Sequence, residues 1–159
     1  MRADGMKQIS VPVPEGAGVR CQTRPPPRIL VVDDEESVRQ LNVKMLLDTG
    51  YHVDAAEDGA AAWDALQVNR YDLLVTDNSM PKVSGVELIM KLHEARIAVP
   101  VILATGSLPE AEFHRRPWLK PAATLIKPYT FAEFLGTVQS VLCGTVLITM
   151  LQLCLHASL

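Results

Sequence analysis

The sequence predicts an α/β fold, a doubly wound five-stranded parallel sheet in the order 2-1-3-4-5 with helices on both faces. Three observations predict it. From Arg28 onward, short continuous apolar runs alternate with amphipathic stretches, the pattern of buried parallel strands joined by crossover helices. The strand–helix units number five, and right-handed crossovers leave few topologies open to them. The 159 residues, 48% hydrophobic and 21% charged, suffice for one ordinary core that needs no disulfide or metal to hold it.

The predicted strands are residues 29–32, 51–56, 73–76, 99–104 and 124–126. Between them, Val38, Leu41 and Met45 share one face of a first helix that Gly50 ends. Asp58 is placed to cap a second helix that carries Ala62, Leu66 and Asn69. Ser84 with Glu87, and Thr130 with Glu133, have capping-box spacing at the starts of the third and fifth helices. The fifth directs Phe134, Leu135, Val138, Val141 and Leu142 at the sheet. The fourth starts near Pro109 and meets Pro117, so it must be short or broken there.

Residues 1–27 contain Val11-Pro12-Val13-Pro14, Gly16, Gly18 and Pro25-Pro26-Pro27, which predicts a flexible N-terminal arm ahead of a domain at 28–142. Residues 143–159 form an apolar tail without formal charge, expected to pack on a partner or on a second copy of the chain. Its length and lack of flanking Lys or Arg disfavour a membrane span. Net charge is −3, with the acidic excess inside 28–142, which disfavours nucleic acid as a partner. Cys21, Cys143 and Cys154 form no CxxC pair, and no secretion signal opens the chain, so reduced thiols and a cytoplasmic setting are expected. His52, His93, His114 and His156 lack metal-ligand spacing and read as surface or core residues. Trp63 reads as packing, and Arg115-Arg116 as a solvated pair.

In this topology, chemistry sits where strands end at their carboxyl side. The first strand exits at Asp33-Asp34, the third at Asp77, the fourth at Thr105 and the fifth at Lys127, while the second offers only Glu57 and Asp58. The four chemically rich exits belong to neighbouring strands, so they converge. Three carboxylates brought together repel unless a cation compensates, and oxygen-only ligands suit Mg²⁺. Lys127 and Thr105 supply the charge and the hydroxyl that orient a transferring phosphoryl group, and Asp77 can attack as nucleophile to give a hydrolysable aspartyl phosphate. Taken singly, each residue has a plainer explanation: Asp33 or Asp34 as a helix cap, Asp77 in an Asx turn, Thr105-Gly106 and Lys127-Pro128 as loop residues. Taken together, in chain order at four exits, they argue for one site.

Ile29-Leu-Val-Val-Asp-Asp-Glu35, Leu74-Val-Thr-Asp-Asn-Ser-Met-Pro81 with Gly85, Leu103-Ala-Thr-Gly106 and Ile126-Lys-Pro-Tyr129 resemble the motifs of the receiver domain of bacterial two-component response regulators, the CheY-like superfamily. The resemblance spans 28–142. It implies that Asp77 is the phosphoacceptor, and that Asp33, Asp34 and Asp77 hold Mg²⁺ with the backbone carbonyl of Ser79. It implies further that Thr105 and Lys127 touch the phosphoryl oxygens, that the peptide before Pro128 is cis, and that Gly106 leaves room for the phosphodonor. Ser79 lies where the family tunes the lifetime of its phosphate. Two departures stand out: Thr124 occupies the position of the usual aromatic switch residue, and Arg115-Arg-Pro-Trp-Leu-Lys-Pro121 interrupts the region of the regular fourth helix.

The resemblance therefore implies a single-domain response regulator that takes its phosphoryl group from a sensor histidine kinase or phosphotransfer protein. It would signal by binding a downstream protein, not by turning over a substrate. A helix-turn-helix does not fit after Leu142, so the output is expected from another chain. A homodimer through the fourth and fifth helices or the tail is a second expectation. Two alternatives stay open: a receiver-shaped adaptor that works without phosphate, and a phosphatase of the haloacid dehalogenase kind. For the latter, Asp77-Asn78-Ser79 lacks the second carboxylate of the Asp-x-Asp motif.

Overall fold

Each apolar run becomes a strand: β1 (Arg28–Val32), β2 (His52–Ala56), β3 (Leu73–Asp77), β4 (Val101–Thr105) and β5 (Ala123–Ile126). The structure, a computed structural model, describes residues 25–156, with side-chain environments through residue 144. Nearly all of the arm assigned to 1–27 lies outside the described residues. Every strand pairing is parallel, in the order β2-β1-β3-β4-β5. The interior strands β3 and β4 are buried at every residue, whereas β2, at one edge, is mostly half-buried or exposed. That gradient is why the central runs read as unbroken apolar sequence.

Five helices connect and follow the strands: α1 (Glu36–Asp48), α2 (Gly59–Val68), α3 (Gly85–Glu94), α4 (Glu110–Arg115) and α5 (Phe131–His156). Asp58 caps α2 by accepting from the Ala61 N–H, and Ser84 with Glu87 closes a capping box on α3. Thr130 and Glu133 make the same reciprocal bonds at the start of α5. Gly50, at φ 97°, takes the left-handed turn that follows α1. Because side chains alternate along a strand, the sheet feeds two cores. Leu30, Val32, Leu74 and Leu103 pack with Ala62, Leu66, Leu88 and Leu92 of α2 and α3. Ile29, Val31, Val75 and Ile102 pack with Leu46 of α1 and Phe134 and Val138 of α5.

The buried face of α1 is offset from the predicted one. Asn42 and Leu46 are buried, while Leu41 is 58% exposed. The helix turns the polar Asn42 inward because Tyr129 supplies a hydrogen-bond partner, 3.0 Å from the amide nitrogen to the phenolic oxygen. The fourth helix is short, as Pro109 and Pro117 require. Beyond it the chain makes a 3-10 turn, Pro117–Leu119, that drives Leu119 to 0% exposure against the α2 and α3 core. Arg115 and Arg116 both pair with Glu112, and Arg116 also reaches the Met90 sulfur at 3.1 Å, so the pair is not simply solvated. Trp63 packs against the core, with the Lys91 ammonium 5.3 Å from its ring centroid. Helix α5 continues past Leu142 to His156, so most of the segment read as a tail is helical in backbone. Among the described residues, no helix is long and apolar enough to cross a membrane.

Replacing Leu119 by Ala empties a filled site in the core and should cost about 2–5 kcal/mol, read as a lower urea midpoint at unchanged slope. The three tyrosines give a second check. Burial raises Tyr51, Tyr71 and Tyr129 above the usual 10, Tyr71 to about 12 with help from its 2.8 Å bond to Asp54. A raised phenol favours folding below pH 10, and that contribution fades as pH climbs through the folded values. Phenolate absorbance should therefore appear at higher pH in the folded chain than in the unfolded one, with the urea midpoint falling as it appears. A tyrosine titrating at its ordinary value would contradict this packing.

Candidate functional site

The carboxyl end of the sheet gathers the residues that the sequence marks. Asp33 follows β1 directly, Asp77 is the last residue of β3, Thr105 the last of β4, and Lys127 follows β5. Parallel register does the gathering: Val32 lies beside Thr76, Asp77 beside Ala104 and Thr105 beside Ile126. One carboxylate oxygen from each of Asp33, Asp34 and Asp77 falls within 4.8 Å of the others. Asp33 and Asp77 are buried, while Asp34 is exposed at the rim.

Lys127 stands among these acids. Its ammonium lies 2.8 Å from Asp33 Oδ2 and 3.5 Å from Asp77 Oδ1. Burial works against that charge, but the hydrogen bond to Asp33 and the fields of Asp33 and Asp77 outweigh it, so the ammonium is held above the usual lysine range. The lysine is therefore cationic through the neutral range. Its peptide bond to Pro128 is cis.

The helix-cap reading of the acids does not hold. The residue capping α1 is Glu35, and its side chain makes no capping bond. Asp33 instead accepts the Glu35 N–H through Oδ1 at 2.9 Å, which leaves Oδ2 for Lys127. The Asp33 carbonyl accepts from Arg39 at 2.7 Å, bringing a second cation to the rim. Thr105 is buried, and its hydroxyl donates to the Ser107 carbonyl at 2.8 Å. Ser79 is exposed in the loop that leaves β3. Thr124, half-buried in β5, lies beside Leu103 in register.

Sequence reasoning missed Arg39 and the Asn42–Tyr129 bond. Tyr129 also stacks on Phe134 at 5.6 Å between ring centroids, so the bond ties the loop after Lys127 to both α1 and α5. The available signal was a lone polar residue at position 42, spaced four residues from both Val38 and Leu46 on an otherwise apolar face.

These acids, the lysine and the threonine share the carboxyl end of a doubly wound sheet, and the three carboxylates could hold a metal ion. A family model described as the response regulator receiver domain matches residues 29–139. The chain belongs to that family. The receiver protein CpdR of Brucella abortus is 30% identical over 115 residues, which cover 72% of this chain and 96% of the relative. The transcriptional regulatory protein CusR of Escherichia coli is 32% identical over 117 residues, or 72% of this chain and 51% of CusR. The chain thus spans about half the length of CusR and of relatives like it. Among solved structures, the chemotaxis protein CheY4 of Vibrio cholerae superposes with a TM-score of 0.68 at 28% identity, covering 74% of this chain and 99% of that one. TrrA of Thermotoga maritima, solved in complex with Mg(2+)-BeF, gives 0.63 at 30% identity, covering 72% and 98%. Receiver domains of this family are signalling domains of bacterial two-component systems, and the acidic cluster here is of the kind in which they bind Mg²⁺.

One glycine lies directly against the end of β3. A Cβ on Gly85 would lie 2.4 Å from the Asp77 carbonyl oxygen and 2.8 Å from Leu103 Cδ1. Gly85→Ala should therefore cost about 1–3 kcal/mol in urea unfolding and shift the backbone amide resonances at Asp77 and Asn78.

Proposed function

We propose that this receiver accepts a phosphoryl group on Asp77 in a Mg²⁺-dependent reaction and passes the signal on through contact with a protein partner. The observation that carries the reading is the Lys127 ammonium set between Asp33 and Asp77, within a cluster of three carboxylates at the sheet's carboxyl end. The donor set fits a small hard cation, since it offers three carboxylates within a few ångströms and no nitrogen or sulfur ligand. Asp33, Asp34 and Asp77 would hold the Mg²⁺, joined by the Ser79 backbone carbonyl. When bound, the ion offsets the mutual repulsion of the acids and draws charge from the phosphoryl oxygens.

The remaining chemistry belongs to the chain. An Asp77 oxygen attacks the phosphorus of a phosphohistidine, the P–N bond breaks, and the imidazole leaves with its electron pair. Lys127 stands where a phosphoryl oxygen on Asp77 can take it as a partner. Thr105 can exchange the Ser107 carbonyl for a second phosphoryl oxygen. Attack of water on phosphorus later breaks the P–O bond to Asp77 and restores the carboxylate. In this reading the phosphodonor is a sensor histidine kinase or a phosphotransfer protein of the cytoplasm. The output comes from contacts of the receiver domain itself, and α5, with its apolar continuation from Cys143, serves as a contact surface for a partner or a second copy.

A second reading, an adaptor indifferent to phosphate, is favoured by Thr124 in place of an aromatic relay and by the Thr105 hydroxyl already satisfied by Ser107. Intact mass after incubation with acetyl phosphate and Mg²⁺ separates the two. The wild-type chain should gain one phosphoryl group, and Asp77→Asn none. An unmodified wild type would overturn the proposal, and modification of both would remove Asp77 as the acceptor.

A further inference from the structure

The second strand exit, the one without an obvious part in the chemistry, reaches the site by another route. Residues 78–84 carry the chain from β3 to α3, and Ser79 sits exposed within them. Asn78 fixes the base of this loop: its carbonyl accepts from the Met80 and Gly85 N–H groups, and its side chain from the Val86 N–H, each at 3.2 Å. The far end is fixed from outside. The Lys82 ammonium pairs with Asp58 Oδ2, and that carboxylate is only 5% exposed and already caps α2. Beside it the loop lies directly on α2, since a Cβ on Gly59 would fall 2.2 Å from the Val83 carbonyl oxygen. Lys82 itself has φ 65°, a left-handed conformation that an L residue adopts only at a cost. Across it the Val83 N–H donates to the Pro81 carbonyl at 2.8 Å, and the ion pair to Asp58 anchors its side chain to α2.

We propose that Asp58 and Lys82 form a clamp that holds the β3–α3 loop in the shape that offers the Ser79 carbonyl to Mg²⁺. Both are positioning residues and neither is a ligand. The proposal rests on the reading of Asp33, Asp34, Asp77 and the Ser79 carbonyl as the cation site. A backbone carbonyl has no rotamer to adjust, so its position is set wholly by the dihedrals of the loop that carries it. A loop left free must be ordered when the ion binds, and that entropy is taken from the binding free energy. A clamp that orders the loop beforehand raises cation affinity without touching the cation.

Asp58→Asn and Lys82→Met each remove the ion pair, and Asn caps a helix about as well as Asp, so α2 is preserved. Mg²⁺ binding measured by calorimetry should weaken by about three- to tenfold in each, less than the 10–100-fold typical of groups bonded directly to a ligand. The double variant should lose no more than either single one, because both report one interaction. Lys82→Arg should restore affinity, and Lys82→Gly, free of strain at φ 65°, should still lose it. At saturating Mg²⁺ all variants should be phosphorylated by acetyl phosphate at the wild-type rate. Wild-type affinity in Asp58→Asn or Lys82→Met, or strictly additive losses, would overturn the clamp. A wild-type chain that binds no Mg²⁺ would overturn the cation site itself, a distinguishable failure.

Discussion

The structure depends on the crowding of like charges at one end of its sheet. Val32 and Thr76 are register partners in adjacent parallel strands, so the residues that follow them, Asp33 and Asp77, have no freedom to separate. Backbone hydrogen bonds along β1 and β3 hold the two acids together against their repulsion, and Asp34 adds a third. Lys127 offsets part of this from the end of β5, two strands from β3 across β4 in the order β2-β1-β3-β4-β5. The fold and the charge pattern are thus one arrangement seen at two scales.

The groups of the candidate site stand on parts of the molecule that differ in stiffness. Asp77 ends a strand buried at all of its residues, and Thr105 ends another. The Ser79 carbonyl, in contrast, belongs to an exposed loop whose order comes from Asn78 at one end and from the Asp58–Lys82 pair at the other. Preorganisation comes from the sheet where a side chain acts and must be assembled from neighbouring contacts where the backbone acts.

Most of the fold was legible because strand exits, helix caps and proline positions are local signals. Asp58, the Ser84–Glu87 box, the Thr130–Glu133 box and the stop at Pro117 are each decided within a few residues of sequence. The inward face of α1 was misread because the spacing of Val38 and Leu46 marks position 42 but not the partner, 87 positions away, that lets its amide be buried. The same holds for Lys82 and Asp58, 24 positions apart and joined only once α2 and α3 are placed side by side. The residues of the site were legible through their chain order at the strand ends. The Thr105–Ser107 bond and the approach of Arg39 were not, since both depend on where loops settle after the strands are formed.

The six-residue α4 amounts to fewer than two turns before the chain bends and plants Leu119 in the interior. A protein that recognises a long helical ridge on this side would find a corner instead, with the Trp118 ring tilted against His93. The surface on this side is therefore that corner and not a ridge, so a partner selected by shape would have to match it.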